Sequence, residues 1–359
     1  MCLGYHSIAQ GKVKVFTMKV VHQSRSGANS TDSPRVSIGL PVYNGDKFLA
    51  EALNSLLAQT YTDFEIIVAD NCSTDQTAAI AQRYAKQDSR VRYVRRTENQ
   101  GAVENFNFVV SQARGEYFKW AAHDDLIAPT YLERCMSILE ADESVVLCHS
   151  DTQLISQDGT PLAPLEDGSN HFFDELGRII YLGKDSQDRR FNSARASERF
   201  RAIILETDWV FEIFGVFRKE ALERTGLLDR FYGSDKLLLA QLVMLGRIIL
   251  VQEPLFLNRR HADQSMSRAT IEGQEVWVDT RAKQSGLMHR LRRMRGFTSA
   301  ALSGKAPLRE RIASLNIVVG YYVRFKRWHD MLEELSGLRM RRISKKASLR
   351  MQQLEDTSP

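Results

Sequence analysis

The chain has 359 residues, with 49 Lys and Arg against 44 Asp and Glu for a formal charge of +5, and 43% hydrophobic residues. That length fits about two lobes around a sizeable core, and the composition excludes the disordered, collagenous and disulfide-stapled classes. Four cysteines at no metal-ligand spacing, and no apolar run of about 18 residues, exclude a zinc module and a membrane-spanning helix; the thiols read as reduced, as in a cytoplasm.

Residues 1–34 lack the apolar core of a signal peptide and turn Ser-, Gly- and Asn-rich from Ser24. They read as a flexible tail, with Met18 an alternative start. Val36–Leu40 predicts a strand stopped by Pro41. Phe48, Leu49, Ala52, Leu53, Leu56 and Leu57 then recur at helical spacing. Phe64–Ala69 is apolar enough for a buried strand, and it ends at Asp70-Asn71. Ser73 to Gln76 resembles a capping box that opens a helix to about Lys86. Val91–Val94 predicts a strand, Val103–Ala113 a helix, and Tyr117–Ala122 a strand running into His123-Asp124-Asp125. Beyond it come a helix over Thr130–Glu140, capped by Thr130, and a strand over Val145–Cys148. Residues 157–195 are polar and irregular, and read as a loop over the site. Phe214–Phe217 predicts a strand, and Lys236–Leu245 a helix closed by Gly246. Ile248–Val251 and Leu255–Leu257 predict two strands split by Pro254. From about Arg281 the chain reads as helical and basic, with 18 Lys and Arg against 6 Asp and Glu, so the preceding residues carry about −7.

Alternating strands and helices at this spacing imply an α/β fold, with a mostly parallel central sheet flanked by helices. Ligands of such sheets bind beyond the carboxyl ends of the strands. Pro41 to Asn44, Asp70-Asn71 and His123 to Asp125 all fall at such ends. Asp124 and Asp125, adjacent carboxylates just past a strand, suit a divalent cation that neutralises a diphosphate. Asp70 is placed to accept a hydrogen bond from a base N–H, and Asn71 to serve the base or fix the loop. Asp75 reads as a capping or loop-fixing residue. Pro41, Tyr43 and Asn44 join strand to helix, where backbone N–H groups and the Tyr43 ring can pack around base and ribose.

Val36 to Asn44, Asp70 to Thr77, Asn99-Gln100-Gly101 and Gly115-Glu116-Tyr117 through His123-Asp124-Asp125 follow one another in an order and spacing that resembles the bacterial family 2 glycosyltransferases. The resemblance implies the GT-A fold, which is Rossmann-like, a nucleotide-sugar donor with UDP-sugar foremost, Mg2+ or Mn2+, and inversion at the anomeric carbon. It implies Asp70 for the base, Asp124 for ribose or metal, and Asp125 for metal. Here His123 stands in the first place of the usual Asp-x-Asp triplet. The family's catalytic base is the Asp of a Glu-Asp pair before a helix. The matching stretch is Tyr232-Gly233-Ser234-Asp235, which makes Asp235 the base and Ser234 the replacement for Glu. Inversion needs such a carboxylate to take the acceptor's proton.

Arg259 and Arg260 follow the last strand and suit a pyrophosphate, and His261 suits Mn2+ as a ligand. Glu206, Asp208 and Trp209 are candidates for the acceptor side. The expected organisation is a tail over 1–34, a GT-A domain over 35–265 and a basic helical C-terminal extension over 266–359. Within the domain, 35–151 is the donor and metal half and 152–265 the acceptor half. No Gln-x-x-Arg-Trp motif of processive synthases is present, which favours transfer of a single sugar. The resemblance, with the basic tail, implies a glycan or lipid-linked acceptor in cell-envelope or surface polysaccharide synthesis. Ile317–Val323 beside Arg324, Lys326 and Arg327 suits peripheral contact with the inner face of the plasma membrane. No nucleic-acid motif is present. A sugar nucleotidyltransferase would need a Gly-rich loop that Pro41–Lys47 does not provide. The competing reading is a non-catalytic nucleotide-sugar binder or membrane-associated scaffold, suggested by His123 and Ser234.

Overall fold

Strands β1 (Val36–Val42) and β2 (Phe64–Asp70) are buried at every position, which is why both read as near-continuous apolar runs. They belong to a computed structural model that describes residues 33–163, 170–173, 179–182, 190–207, 210–231, 233–261, 278, 286–303 and 306–323. The tail expected over 1–34 lies outside these residues up to 32, as do Asp208, Trp209, Tyr232 and the basic stretch from Arg324.

The first half alternates as the periodicity predicts. Helix α1 (Leu49–Leu57) follows β1, and α2 (Thr77–Gln87) follows β2. Then come β3 (Val91–Arg95), α3 (Ala102–Ser111), β4 (Tyr117–Trp120), the short β5 (Leu126–Ile127), α4 (Tyr131–Ala141) and β6 (Val145–Ile155). A hairpin of β7 (Asn170–Phe173) and β8 (Ile179–Leu182) lies within the stretch expected to be irregular. Next are α5 (Ala196–Arg201), β9 (Val216–Arg218), α6 (Lys219–Glu223), α7 (Ser234–Leu245) and β10 (Arg247–Arg259). Two C-terminal helices follow, α8 (Gly286–Leu302) and α9 (Leu308–Val323).

Eight strands form one sheet in the order β3-β2-β1-β4-β9-β6-β10-β5. β1, β2, β3 and β4 pair in parallel, as do β6 and β10, whereas β9 runs antiparallel to both its neighbours and β5 antiparallel to β10. Alternate residues of β2 face opposite layers. Ile66 and Val68 join the core under α1, α2 and α4, and Ile67 and Ala69 join the core under α3, α5 and α7. Phe297, Ala300 and Ala301 of α8 and Val318 and Tyr321 of α9 pack into that second core. The C-terminal helices therefore share the core of α5 and α7.

Several boundaries differ from the sequence reading for physical reasons. Pro41 does not stop β1, because Gly39 O accepts from Ala121 N on the β4 side and β4 has ended by Pro41, where no partner would need its missing N–H. Pro254 does not split β10, because the register with β6 shifts between Val251 and Phe256 and absorbs it. The expected strand at Phe214 is a 3-10 turn over Phe211–Phe214, with the strand starting at Val216. That turn is held by Lys119, a buried β4 side chain that donates to the Phe214 carbonyl and lies 4.4 Å from the Tyr131 ring centroid. Burial pushes the Lys119 ammonium down to about 7. Ser73 forms no capping box, since α2 starts at Thr77 without a side-chain cap on its N-cap residue Gln76, and Thr130 makes no side-chain cap on α4.

Glu65 ties the lower end of the sheet. Pairing of β1 with β2 sets Ser37 beside it, and Ser37 Oγ donates to Glu65 Oε1 at 2.7 Å. Arg114 donates to Glu65 Oε2 from Nε at 3.0 Å and Nη2 at 2.8 Å. Burial raises this carboxyl, but the Arg114 and Ser37 hydrogen bonds outweigh it and hold it below the ordinary carboxylate range. A depressed pKa contributes stability above the unfolded value near about 4.3, lost as pH falls through the folded value. Glu65→Gln is therefore expected to cost about 2 kcal/mol at neutral pH, with the gap to wild type closing in acid. Urea unfolding of both proteins at pH 7 and in acid checks this.

Candidate functional site

In a sheet ordered 3-2-1-4, α1 and α2 cover one layer and α3 returns the chain to β4 across the other, so the strand order reverses between β1 and β4. The loops after these two strands meet at the carboxyl edge, where a Cβ on Gly45 would lie 2.5 Å from the His123 ring. α7 belongs to the same edge. It runs directly into β10, which is parallel to β6, so its N-terminal residues Ser234 and Asp235 lie at the carboxyl end.

The loops after β1 and β2 are stitched together. Asn44 adopts φ 50, its N–H donates to Ser73 Oγ at 2.9 Å, and its Oδ1 accepts from Thr74 N at 2.9 Å. Gly45 N donates to Thr77 Oγ1 at 2.8 Å. Asp75 accepts from Asp46 N at 3.1 Å and from Thr77 N at 2.9 Å, the loop-fixing work read from the sequence. Asn44 thus shapes its own loop, while Tyr43 is 44% exposed at its tip. Pro41 is buried within β1.

Asp70 is fully buried, and its oxygens accept from Ser73 N at 2.7 Å and the Tyr93 hydroxyl at 2.8 Å, with Arg95 Nη1 3.7 Å away. Asp70 therefore supports the loop, a task the sequence did not show beside the base contact it suggested. Asn71 also fixes structure. Its Nδ2 donates to Asn99 Oδ1 at 2.8 Å and to the Gly101 carbonyl at 3.1 Å.

Asp124 and Asp125 part company. His261 Nε2 lies 3.0 Å from Asp124 Oδ2, and its ring packs against that of Phe48 with centroids 4.9 Å apart. Antiparallel pairing of Leu126 with Leu257 sets Asp125 beside Asn258 instead. Asn258 Nδ2 is 3.0 Å from both Asp125 oxygens, and Arg259 N donates to Oδ1 at 2.8 Å. Burial and the neighbouring Asp124 push the Asp125 carboxyl up, to about 7. Burial also raises Asp124, but the charge of His123 and the hydrogen bond and charge of His261 outweigh it and hold it low. Asp125 therefore clasps the end of β10, a task the sequence did not show beside the metal-ligand role it suggested.

Arg259 has a structural task the sequence did not show. It is buried, and its guanidinium donates to the Asp124 carbonyl at 2.8 Å, the Gln157 carbonyl at 2.7 Å and Glu51 at 2.7 Å. Arg260 is buried too, and burial lowers it to about 10 against the opposing pull of Asp125 and Asp124. Glu206 pairs with Arg201 at 3.4 Å. Lys236 Nζ donates to the Thr207 carbonyl at 2.7 Å, which sets Thr207 beside the start of α7. Asn258 and Glu51 carry site structure that sequence reading missed. Only their pairing across long separations reveals them.

Asp235 sits in the first turn of α7, where Oδ1 accepts from Lys236 N at 2.7 Å. Burial pushes its carboxyl up, while the charges of Arg293 and Lys236 oppose this.

Residues 37–197 match the family described as glycosyl transferase family 2. These residues are a family 2 glycosyltransferase domain. The chain is 40% identical over 129 residues to an uncharacterized glycosyltransferase of Rickettsia typhi, covering 36% of this chain and 39% of that one. It is 34% identical over 129 residues to the putative teichuronic acid biosynthesis glycosyltransferase TuaG of Bacillus subtilis, covering 36% of this chain and 51% of that one. The chain therefore spans about two fifths of the first curated relatives it matches. The crystal structure of S. aureus TarS 1–349 in complex with UDP-GlcNAc superposes with a TM-score of 0.55 at 18% identity, over 81% of this chain and 73% of that one. The fold is therefore the GT-A fold expected from the family 2 motifs.

The two aspartates of this family 2 domain are separable by experiment. Asp125→Asn would set an amide N–H against Asn258 Nδ2 or Arg259 N and is expected to lower stability by about 2 kcal/mol. Asp124→Asn, whose partner is the ring of His261, is expected to cost less. Thermal unfolding of both variants measures the difference.

Proposed function

We propose that the protein transfers a single sugar from a nucleotide-sugar donor, with UDP-sugar foremost, to an acceptor hydroxyl, with inversion and with help from Mg2+ or Mn2+. The observation that carries this reading is the Asp124–His261 pair beside the stitched β1 and β2 loops, at the carboxyl edge of a family 2 glycosyltransferase domain. Cell-envelope polysaccharide synthesis is the proposed setting, supported by the likeness to TuaG.

The residues present fit a divalent cation. Ligands about 2.1 Å from a cation at right angles lie about 3.0 Å apart, which is the spacing of Asp124 Oδ2 and His261 Nε2. Among the described residues no three His, Cys, Asp or Glu side chains converge as a closed cage. A cation that takes diphosphate oxygens needs only one or two protein ligands. In this reading Asp124 and His261 hold it, and Asp125 holds the strand that carries His261. When bound, the cation would neutralise the departing diphosphate.

Asp235 is the proposed base. Its carboxylate takes the acceptor hydroxyl proton while the acceptor oxygen bonds to the anomeric carbon. The bond from that carbon to the donor diphosphate breaks with its electron pair going to the nucleotide. The end of a helix dipole favours the ionised form of Asp235 there. The acceptor is a glycan or a lipid-linked sugar. No helix of the described residues is long and apolar enough to cross a membrane. α9 nevertheless exposes Leu308, Ile312, Val319 and Val323, and the chain from Arg281 carries 18 Lys and Arg against 6 Asp and Glu. Peripheral contact with an anionic inner membrane face is proposed on that basis.

Thermal-shift measurements with UDP-, dTDP- and GDP-sugars, with and without Mn2+, test the donor site. One nucleotide class is expected to raise the melting temperature in a metal-dependent way, and Asp124→Asn and His261→Ala are expected to abolish the metal dependence. With the donor so identified, Asp235→Asn is expected to lower turnover by about 10²–10⁴-fold while keeping donor binding. Full turnover in Asp235→Asn would refute its role as base.

A further inference from the structure

The turn that delivers Asp235 is gripped from two sides. On one side, Asn107 of α3 donates from Nδ2 to the Leu228 carbonyl at 2.8 Å and accepts from Leu228 N at 3.1 Å, and Arg230 pairs with Glu104 at 2.6 Å. On the other side lies α8, from beyond the family-matched segment. Arg293 of α8 has its guanidinium carbon 5.9 Å from the centroid of the Phe231 ring, itself buried. The same guanidinium covers Gly233: a Cβ there would stand 3.1 Å from Arg293 Nη2. Gly233 has φ +83, a conformation that favours glycine, and Ser234 N closes the turn onto the Phe231 carbonyl at 3.2 Å. One turn along α8, a Cβ on Gly296 would lie 2.6 Å from Leu237 Cδ2, so α8 and α7 touch with no space for a larger residue. α8 is therefore seated against α7 and over the turn at once.

We propose that Arg293 is a positioning residue for Asp235, so that helix α8 of the C-terminal extension is part of the active centre. This rests on the reading of Asp235 as the base. Among the described residues, the charged groups acting on Asp235 are Arg293 on α8 and Lys236 on its own helix. Lys236 is held by the Thr207 carbonyl. Arg293 is the one delivered from outside the residues 37–197 that match the family. It clamps the turn by packing on Phe231 and over Gly233, and its charge favours the carboxylate form that takes a proton. Loss of the guanidinium leaves burial opposed by Lys236 and the helix N-terminus alone.

The test compares wild type with Arg293→Met, Arg293→Lys and Asp235→Asn in the full chain. Carbon-13 labelling of aspartate carboxyls, with Asp235→Asn to assign the resonance, reads the titration of Asp235 directly. Arg293→Met is expected to move that titration up by about one pH unit, with Arg293→Lys between it and wild type. Turnover of the donor identified by thermal shift is expected to fall at least about tenfold at neutral pH in Arg293→Met, with the donor KM unchanged. An unmoved Asp235 titration in a folded Arg293→Met protein overturns the proposal, whatever Asp235 does in catalysis. Full turnover in Asp235→Asn overturns the base reading separately. Should Arg293→Met fail to fold, Gly233→Ala, whose methyl displaces the guanidinium, takes its place. It is expected to move the titration in the same direction, and no movement there also overturns the proposal.

Discussion

The site depends on one buried carboxylate. Asp125 takes hydrogen bonds from the Asn258 side chain and the Arg259 backbone, joining the loop after β4 to the end of β10. Those residues are 134 positions apart in Arg259's case, and nothing local would bring them together. The clasp fixes where His261 emerges and so where it meets Asp124. It also pins Arg259, whose guanidinium then reaches Gln157 and Glu51. Two adjacent aspartates thus divide their tasks by environment. Burial and the charge of Asp124 raise Asp125 despite its hydrogen bonds from β10, whereas the neighbouring histidines hold Asp124 low against its own burial.

Local pattern carried most of the fold. The buried runs of β1 and β2, the helical spacing of α1 and the edge position of the Asp124-Asp125 pair were all legible, because each depends on a short stretch and on the rule that ligands gather at carboxyl ends. What local pattern misled on was set by distant partners. Pro41 and Pro254 are strand residues here because of where β4 ends and how β6 shifts register. Ser73 faces Asn44 instead of capping α2. Asp70 and Arg259 read as ligand contacts by residue type, and the loop partners they also have, Tyr93 and Ser73 for the first and Glu51 and Gln157 for the second, are distant in sequence. A charged side chain at a strand end is equally suited to hold a loop or a ligand, and only its surroundings decide. The division of labour between α8 and α7 had no signature at all in the sequence beyond two glycines, Gly233 and Gly296.

The core makes the C-terminal helices hard to regard as an appendage. Phe297, Ala300, Ala301, Val318 and Tyr321 bury their apolar surface against the same layer as α5 and α7, at roughly 25 cal/mol for each Å² removed from water. The outer side of α9 is a different surface, with Leu308, Ile312, Val319 and Val323 left in solvent. One pair of helices thus completes the interior on one side and offers an apolar face on the other.

β9 occupies the middle of the sheet, between β4 and β6, yet it is made some 60 residues after β6 ends. During synthesis the chain therefore passes through a stage in which β4 and β6 each present an open edge, and only Val216–Arg218 can seal both. Open edges are templates for pairing between chains, so this is the stage most exposed to aggregation. The family-matched segment ends at residue 197, short of that strand. A protein cut there would keep the Asp124-Asp125 loop and lose the strand that closes the sheet around it.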